Sequence, residues 1–194
     1  MHFDRVVDTR RADLARSGPP PDVAALEAYA EGTSSAVLYL QLQSIGVQST
    51  AADHAASHVG KAAGLAALLR GTAALSAKRR CYLPGELLLA HGVSTEQVYR
   101  GEVTEGLREV VYQCASTARA HLDHARHLHA TSALPSAALP LLLPAVPADV
   151  YLTALQRCQF DPFHPSLQPG SRAHAARALW TQAALRWHVW RRSF

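Results

Sequence analysis

Gly64-Leu-Ala-Ala-Leu-Leu-Arg-Gly-Thr-Ala-Ala-Leu-Ser-Ala-Lys-Arg-Arg-Cys-Tyr-Leu-Pro-Gly-Glu-Leu-Leu-Leu89 is the stretch that decides how this chain is read. Its first residues close a helix expected from about Ala51 to Arg70, opened by Ser49 or Thr50 as the N-cap. Ala52, Ala56, Gly60, Ala63 and Ala67 recur on one side of that helix and permit a close helix–helix approach. The Gly60-x-x-x-Gly64 spacing agrees with this. From Gly71 to Arg80 the apolar pattern lapses and ends in the cationic run Lys78-Arg79-Arg80. Pro84 suits the first turn of a short helix reaching His91-Gly92. Between Asp53 and Glu86 there is no acidic residue.

Working outward, Phe3, Val6, Val7 and Leu14 fall at helical spacing before the breaker Gly18-Pro19-Pro20-Pro21. Asp22 caps a helix expected from Val23 through Tyr29, Val37, Tyr39 and Leu42 to Gly46. Downstream, Ser94 with Gln97 forms a capping box for a short helix. Thr104 opens the longest one, in which Leu107, Val111, Cys114, Ala118, Leu122 and Ala125 make one apolar stripe to about Thr131. Pro135, Pro140, Pro144 and Pro147 punctuate the segment that follows. A helix over Asp149 to Cys158, a loop from Phe160 to Leu167 and a final helix from about Ala173 to Arg191 complete an all-α reading without internal repeats.

Composition agrees. Of 194 residues 36 are Ala and 26 are Leu, both strong helix formers, while aromatic residues are only 7%, which argues against a sheet protein. The 48% apolar share suffices for a core and excludes disorder, and the length suits one domain over 1–194. A net charge of +4 is too mild for a dedicated nucleic-acid binder. Cys81, Cys114 and Cys158 form no CxxC pair, so neither a disulfide framework nor a zinc knuckle is expected, and a reducing compartment is. Cys114 lies in the apolar stripe and reads as a buried structural thiol. No run reaches 18 uninterrupted apolar residues, so no membrane-spanning helix is expected. Met1-His2-Phe3-Asp4 is neither a signal nor a transit peptide and starts inside an amphipathic pattern, which leads us to expect a further segment upstream.

Followed back without a gap from Tyr82-Leu83-Pro84, the Gly64–Leu89 stretch resembles the second aspartate-rich region of squalene and phytoene synthases. There a helix ending in Leu-Arg-Asp is followed by Glu-Asp, an Arg-rich turn and Tyr-Leu-Pro. Arg79 and Arg80 fall in the basic turn, Arg70 on the arginine before the first aspartate, and the acidic positions on Gly71, Ala74 and Leu75. Asp8-Thr-Arg-Arg-Ala-Asp13 resembles the acidic segment before the family's tyrosine-rich helix. Leu26-Glu-Ala-Tyr29 with Thr33-Ser-Ser35 takes that helix's place, Ser35 standing where a glycine is usual. The family's first aspartate-rich helix would lie before Met1. The resemblance implies an isoprenoid-synthase-like helical bundle, truncated at its N-terminus.

In that family the charge of an ionising diphosphate is neutralised by Mg²⁺ held on carboxylates, and Gly, Ala and Leu supply no hard oxygen ligand. Asp4 and Asp8 stand at i, i+4 and read as a solvated face. The chain is therefore expected to bind no metal cofactor and to lack the family's catalysis.

A narrower resemblance is to the squalene/phytoene synthase-like proteins that assist assembly of mitochondrial respiratory complex I, in which the active site is degenerate. It rests on Glu27-Ala-Tyr-Ala-Glu31, Ser34-Ser35, Leu38-Tyr-Leu40, Ala52-Asp-His-Ala-Ala-Ser-His-Val-Gly-Lys61, Leu83-Pro84 with His91-Gly-Val-Ser94, Ala120-His-Leu-Asp-His-Ala-Arg126, and Phe160-Asp-Pro-Phe-His-Pro-Ser-Leu-Gln168. This implies a pseudo-enzyme, peripheral to the mitochondrial inner membrane on its matrix side. Its partners would be complex I subunits or other assembly factors, with inner-membrane lipid as a further contact. The alternatives are a prenyl-diphosphate transferase completed by carboxylates from elsewhere, and a lipid- or isoprenoid-binding module.

Four further signals carry two readings each. His54 and His58 have the spacing of a shared zinc but no intervening Glu, and read as a surface or core-satisfied pair. His121, Asp123, His124, His127 and His129 divide between two sides of their helix and do not converge. Arg70 with Lys78, Arg79 and Arg80 is a candidate contact for an anion such as a phosphate or lipid headgroup, or a solvated loop. After Asp161 no acidic residue occurs, while Arg172, Arg177, Arg186, Arg191 and Arg192 follow. Trp180, Ala184 and Trp187 share a face, with Trp190 near the end. Trp180, Trp187, Trp190, Arg186 and Arg191 thus form a candidate membrane or partner surface, unless the helix buries its tryptophans in the bundle.

Overall fold

The computed structural model describes residues 2–191 and 193–194, and among them all regular elements are helical. Helix α1 spans His2–Ala15 and stops before the proline run. Asp22 caps α2, Val23–Ala30, accepting the Ala25 N–H at 2.7 Å. The helix expected from Val23 to Gly46 is one rod with an insertion: a π turn at Glu31–Ser35 joins α2 to α3, Ala36–Ser44. Gly46, at φ +71°, terminates it.

Ser49 caps α4, Thr50–Ser76, which runs six residues past the expected end at Arg70. The apolar stripe does fade there. However, Thr72 and Ser76 are buried on the face that carries Leu65 and Leu69, and Thr72 returns its hydroxyl to the Leu68 carbonyl at 3.4 Å. What ends α4 is Arg79, which takes a left-handed φ of 53° while the Arg80 N–H reaches back to the Leu75 carbonyl at 2.9 Å.

The tyrosine–leucine–proline segment is tied to the proline run: the N–H groups of Gly85 and Glu86 donate to Pro20 and Pro21 carbonyls at 2.8 and 2.9 Å. Two short helices follow, α5 (Gly85–Ala90) and α6 (Thr95–Arg100), the second with its full Ser94/Gln97 capping box. Helix α7, Glu105–Thr131, is capped by Thr104, and all six stripe residues from Leu107 to Ala125 are buried. Burial pushes the Cys114 thiol up to about 12, as an inert core residue requires.

Helix α8, Ala145–Arg157, starts four residues before the expected Asp149 because Pro147 falls in its first turn, where no N–H is needed. Leu139–Arg157 is long and apolar enough by composition to cross a membrane, with mean hydropathy 1.3. It is nevertheless broken by Pro140, Pro144 and Pro147, and it buries Leu142, Tyr151, Leu152 and Leu155 against the bundle, as a core segment does. Helix α9, Arg172–Arg191, closes the order.

The long helices α4 and α7 form the central pair, with α2, α3 and α8 packed on α4. A Cβ at Gly60 would sit 2.4 Å from the Ser35 Cα, and one at Gly64 would sit 2.8 Å from the Ala30 Cβ. The expected close approach is therefore made by Gly60 and Gly64 against the π turn. Ala52 and Ala56 are buried on α4, whereas Ala63 and Ala67 turn instead toward α8 and line a cavity there.

Candidate functional site

Arg70 lies where α4 meets α8. A cavity of about 330 Å³ elsewhere is mostly apolar, but two smaller ones share Arg70, Pro147 and Tyr151. One, about 230 Å³, is walled also by His174, Arg177 and Thr181 of α9. The other, about 160 Å³, is lined by Ala63, Ala66, Ala67, Pro144 and Ala148. A cationic hollow thus adjoins a small apolar one, both open to solvent at the exposed Arg70. Arg177 Nη2 donates to the Ser166 carbonyl at 3.0 Å, and Arg70 has no hydrogen-bond or ion-pair partner among the described residues.

His174 donates its backbone N–H to Ser171 Oγ at 3.0 Å, while its buried Nδ1 has no partner. Burial pushes the Tyr151 phenol above its ordinary range, and the guanidinium groups of Arg70 and Arg177 work against that. No carboxylate or thiol lines either chamber among the described residues. Two guanidiniums without a counter-charge suit an oxyanion, and the alanine-lined chamber suits a hydrocarbon chain.

The other candidate cations lie apart from this cleft. Lys78 is exposed. Arg79 pairs with Glu96 at 2.7 Å and covers the Tyr99 ring at 4.9 Å. Arg80 reaches the buried Asp13, at 3.2 Å to its carbonyl and 3.3 Å to its carboxylate. Tyr82 donates to the same carboxylate at 2.6 Å and Arg16 at 2.8 Å. Arg70, Lys78, Arg79 and Arg80 are therefore not brought together: Arg70 stands exposed at the edge of the cleft, Lys78 faces solvent elsewhere, and Arg79 and Arg80 hold partners within the chain. Gly71, Ala74 and Leu75 occupy the last turns of α4, Ala74 exposed and the other two half-buried. Among the described residues no group of three or more His, Cys, Asp and Glu side chains is placed to hold a metal ion.

The sequence profile of the squalene/phytoene synthase family matches residues 1–183. The chain belongs to the squalene/phytoene synthase family. Its curated relatives include proteins named NADH dehydrogenase (ubiquinone) complex I, assembly factor 6. The one from Rattus norvegicus is 44% identical over 164 residues, which is 84% of this chain and 48% of the relative. The one from Homo sapiens is 42% identical over the same shares. A homolog from Drosophila melanogaster is 38% identical over 88% of this chain and 52% of the relative. The chain spans about half the length of the curated relatives it matches.

Among solved structures, squalene synthase HpnC from Alicyclobacillus acidocaldarius superposes with a TM-score of 0.75 at 21% identity, covering 84% of this chain and 61% of that one. A dehydrosqualene synthase in complex with ligand gives 0.68 at 17% identity, covering 95% and 65%. These likenesses establish the isoprenoid-synthase helical fold.

In this squalene/phytoene synthase family member, the histidines meet across helices. His58 of α4 and His121 of α7 approach Nδ1 to Nδ1 at 2.8 Å, and His121 Nε2 lies 2.5 Å from Glu27 Oε1. The His124 ring sits 4.2 Å from that of His58. Projection of α7 alone separates His121 from His124; α4 supplies the imidazole that touches both. Burial, reinforced by His124, His121, Lys61 and His54, pushes His58 down to about 4. Beside it, burial raises the Glu31 carboxyl, but hydrogen bonds from Tyr39 at 2.7 Å and Ser57 at 2.8 Å outweigh that and hold it below the usual range.

The family member's last helix does not bury its tryptophans. Helix α9 has no buried residue, and Trp180, Trp187 and Trp190 are 66%, 55% and 73% exposed.

Proposed function

We propose that this chain is a non-catalytic scaffold of its family that assists assembly of mitochondrial respiratory complex I at the matrix face of the inner membrane. Its partners are complex I subunits or other assembly factors, and no nucleic acid is involved. Residues 1–194 act as one domain, the C-terminal portion of a longer family domain. The names of the relatives at 42–44% identity support the assembly role.

The observation that carries the non-catalytic part is the donor set at the end of α4. Gly71, Ala74 and Leu75 stand, by the gap-free reading, where the family places aspartates, and no carboxylate occurs from His54 to Gly85. These residues do not fit a Mg²⁺–diphosphate site: the ion demands near-octahedral oxygen ligation, and the hydrocarbon side chains offer none. The test is genetic. In cells lacking the gene, complex I abundance falls and assembly intermediates accumulate, and the wild-type protein restores both. Unchanged complex I in such cells contradicts the role.

A second reading is favoured by the cleft itself. Arg70 and Arg177 beside the chamber of Ala63, Ala66 and Ala67 match an anionic amphiphile, a lipid or isoprenoid-like molecule held without turnover. Of the four candidate cations we retain Arg70 as the ligand contact. Lys78 is a solvent-facing charge, and Arg79 and Arg80 stabilise Glu96 and Asp13. A prenyl-diphosphate transferase remains the contrary outcome and requires carboxylates from outside this chain.

A further inference from the structure

We propose that α9 lies flat on an anionic phospholipid surface, through an outward face formed by Leu179, Trp180, Ala183, Trp187 and Trp190. This deepens the peripheral placement proposed above and rests on it only for which membrane is touched.

The helix is oriented opposite to an ordinary bundle helix. At 100° per residue, Ala176, Leu179, Trp180, Ala183, Trp187 and Trp190 fall within an arc of about 100°. That arc faces solvent: Leu179 is 74% exposed and all three indoles are more than half exposed. The side toward the body carries His174, Arg177, Thr181 and His188 together with Ala184 and Leu185, each only partly covered. The three indoles and Leu179 thus point away from the protein, while the side toward it is mixed, with polar groups beside Ala184 and Leu185. A soluble helix buries the opposite side.

Charge selects the occupant. No Asp or Glu follows Asp161, and Arg172 and Arg186 have no acidic partner among the described residues. Both arginines fall on or beside the apolar arc, and Arg191 stands over the Trp187 ring at 5.5 Å. Indoles flanked by guanidiniums on one helix face fit the boundary of an anionic bilayer, where the ring sits among headgroups and the cation holds a phosphate.

The surface beside the helix continues the match. A groove of about 660 Å³ runs between α8 and α9, with Val150, Ala154, Ala176 and Trp180 in its wall, Arg157 and Arg177 as its cations, and Asp149, paired with Arg119 and Arg126, as its carboxylate. Arg157 has no ion-pair partner among the described residues. With Asp149 already neutralised by Arg119 and Arg126, Arg157 and Arg177 leave the groove cationic beside its apolar wall. At the other end, a cavity of about 310 Å³ places Leu139, Pro140 and Leu143 against Val189. This cavity opens on the His188–Val189 side of the helix, not on the tryptophan face.

The test uses the protein with vesicles of phosphatidylcholine alone, and of phosphatidylcholine with about 30% phosphatidylglycerol. Sedimentation and tryptophan emission are read together. The expected result is binding to the anionic vesicles only, with a blue shift of the emission and weakening as salt rises. Joint replacement Trp180→Ala, Trp187→Ala and Trp190→Ala lowers the partition constant by about tenfold or more while far-UV circular dichroism stays unchanged. Arg186→Glu with Arg191→Glu abolishes the preference for anionic lipid.

Failure of the wild-type protein to bind anionic vesicles overturns the proposal. So does equal binding by the triple variant, or a wild-type dimer that the triple variant dissolves without any effect of lipid. None of these results bears on complex I abundance, so the assembly reading stands or falls separately.

Discussion

Replacing Gly60 by Ala adds one methyl where α4 comes close against the π turn. Its Cβ would lie 2.4 Å from the Cα and Oγ of Ser35 and 2.6 Å from the Ser35 nitrogen. Ordinary carbon contacts are roughly 3.5–4.0 Å, so α4 and the π turn must part by about 1 Å or more. The opposing atoms are largely backbone, and the Ser35 hydroxyl is engaged by the Ser57 carbonyl at 2.9 Å, so no flexible group can yield.

Overpacking of this kind costs about 1–3 kcal/mol, and the loosened packing of Ala56, Val59 and Ala30 adds to it. The helix-propensity gain of Gly→Ala recovers about 1 kcal/mol. The net expectation is a destabilisation of about 1–2 kcal/mol. Gly71 is the internal control, because a Cβ there would first meet the mobile end of Leu75 at 3.1 Å. Gly71→Ala should therefore stabilise by about 0.5–1 kcal/mol. Urea unfolding followed by circular dichroism measures both. A Gly60→Ala variant as stable as the parent would refute the close-approach argument, and equal loss by both variants would show that the site of substitution does not matter.

Three other outcomes follow from the same geometry. His58 is neutral in the folded protein, pushed down to about 4 from an ordinary 6.5, so unfolding takes up a proton between those values. Stability is complete above pH 6.5 and falls as pH drops toward 4, by about 1–2 kcal/mol once solvent screening of this half-buried ring is allowed for. His58→Gln flattens that part of the profile. Asp13→Ala removes the shared acceptor of Arg16, Arg80 and Tyr82, leaves two guanidiniums facing a hole, and lowers the unfolding free energy by about 2–4 kcal/mol in the same urea assay. In the cleft, Arg70→Gln or Arg177→Gln weakens binding of dodecyl phosphate by about tenfold in calorimetric titration, whereas Lys78→Gln leaves it unchanged.

Much of the fold is written locally. Asp22, Ser49, Ser94 and Thr104 each cap the helix their chemistry announces, because a short polar side chain satisfies amide groups two or three residues ahead. The α7 stripe is legible because its period matches the helix and all its residues are buried. The extension of α4 to Ser76 is not, since its buried face there carries Thr72 and Ser76 rather than apolar groups. The π turn packs Gly32 against Thr9 and Ser35 against Gly60, contacts between distant segments that no local pattern encodes.

The same limit governs the sites. Arg70 is visible as a cation, yet Tyr151, His174 and Arg177 join it only through the docking of α8 and α9. Periodicity shows that Trp180 and Trp187 share a face but not which side of the helix is covered, and the structure turns that face outward. His58 and His121 meet across 63 positions of sequence.

Whether the whole protein works without carboxylates at Gly71, Ala74 and Leu75, with none supplied from outside this chain, is tested most directly by release of pyrophosphate. The full-length protein is incubated with farnesyl diphosphate and Mg²⁺, and pyrophosphate is followed against a blank without protein. The expected rate is indistinguishable from the blank. Magnesium-dependent release accompanied by a condensed prenyl product would contradict it.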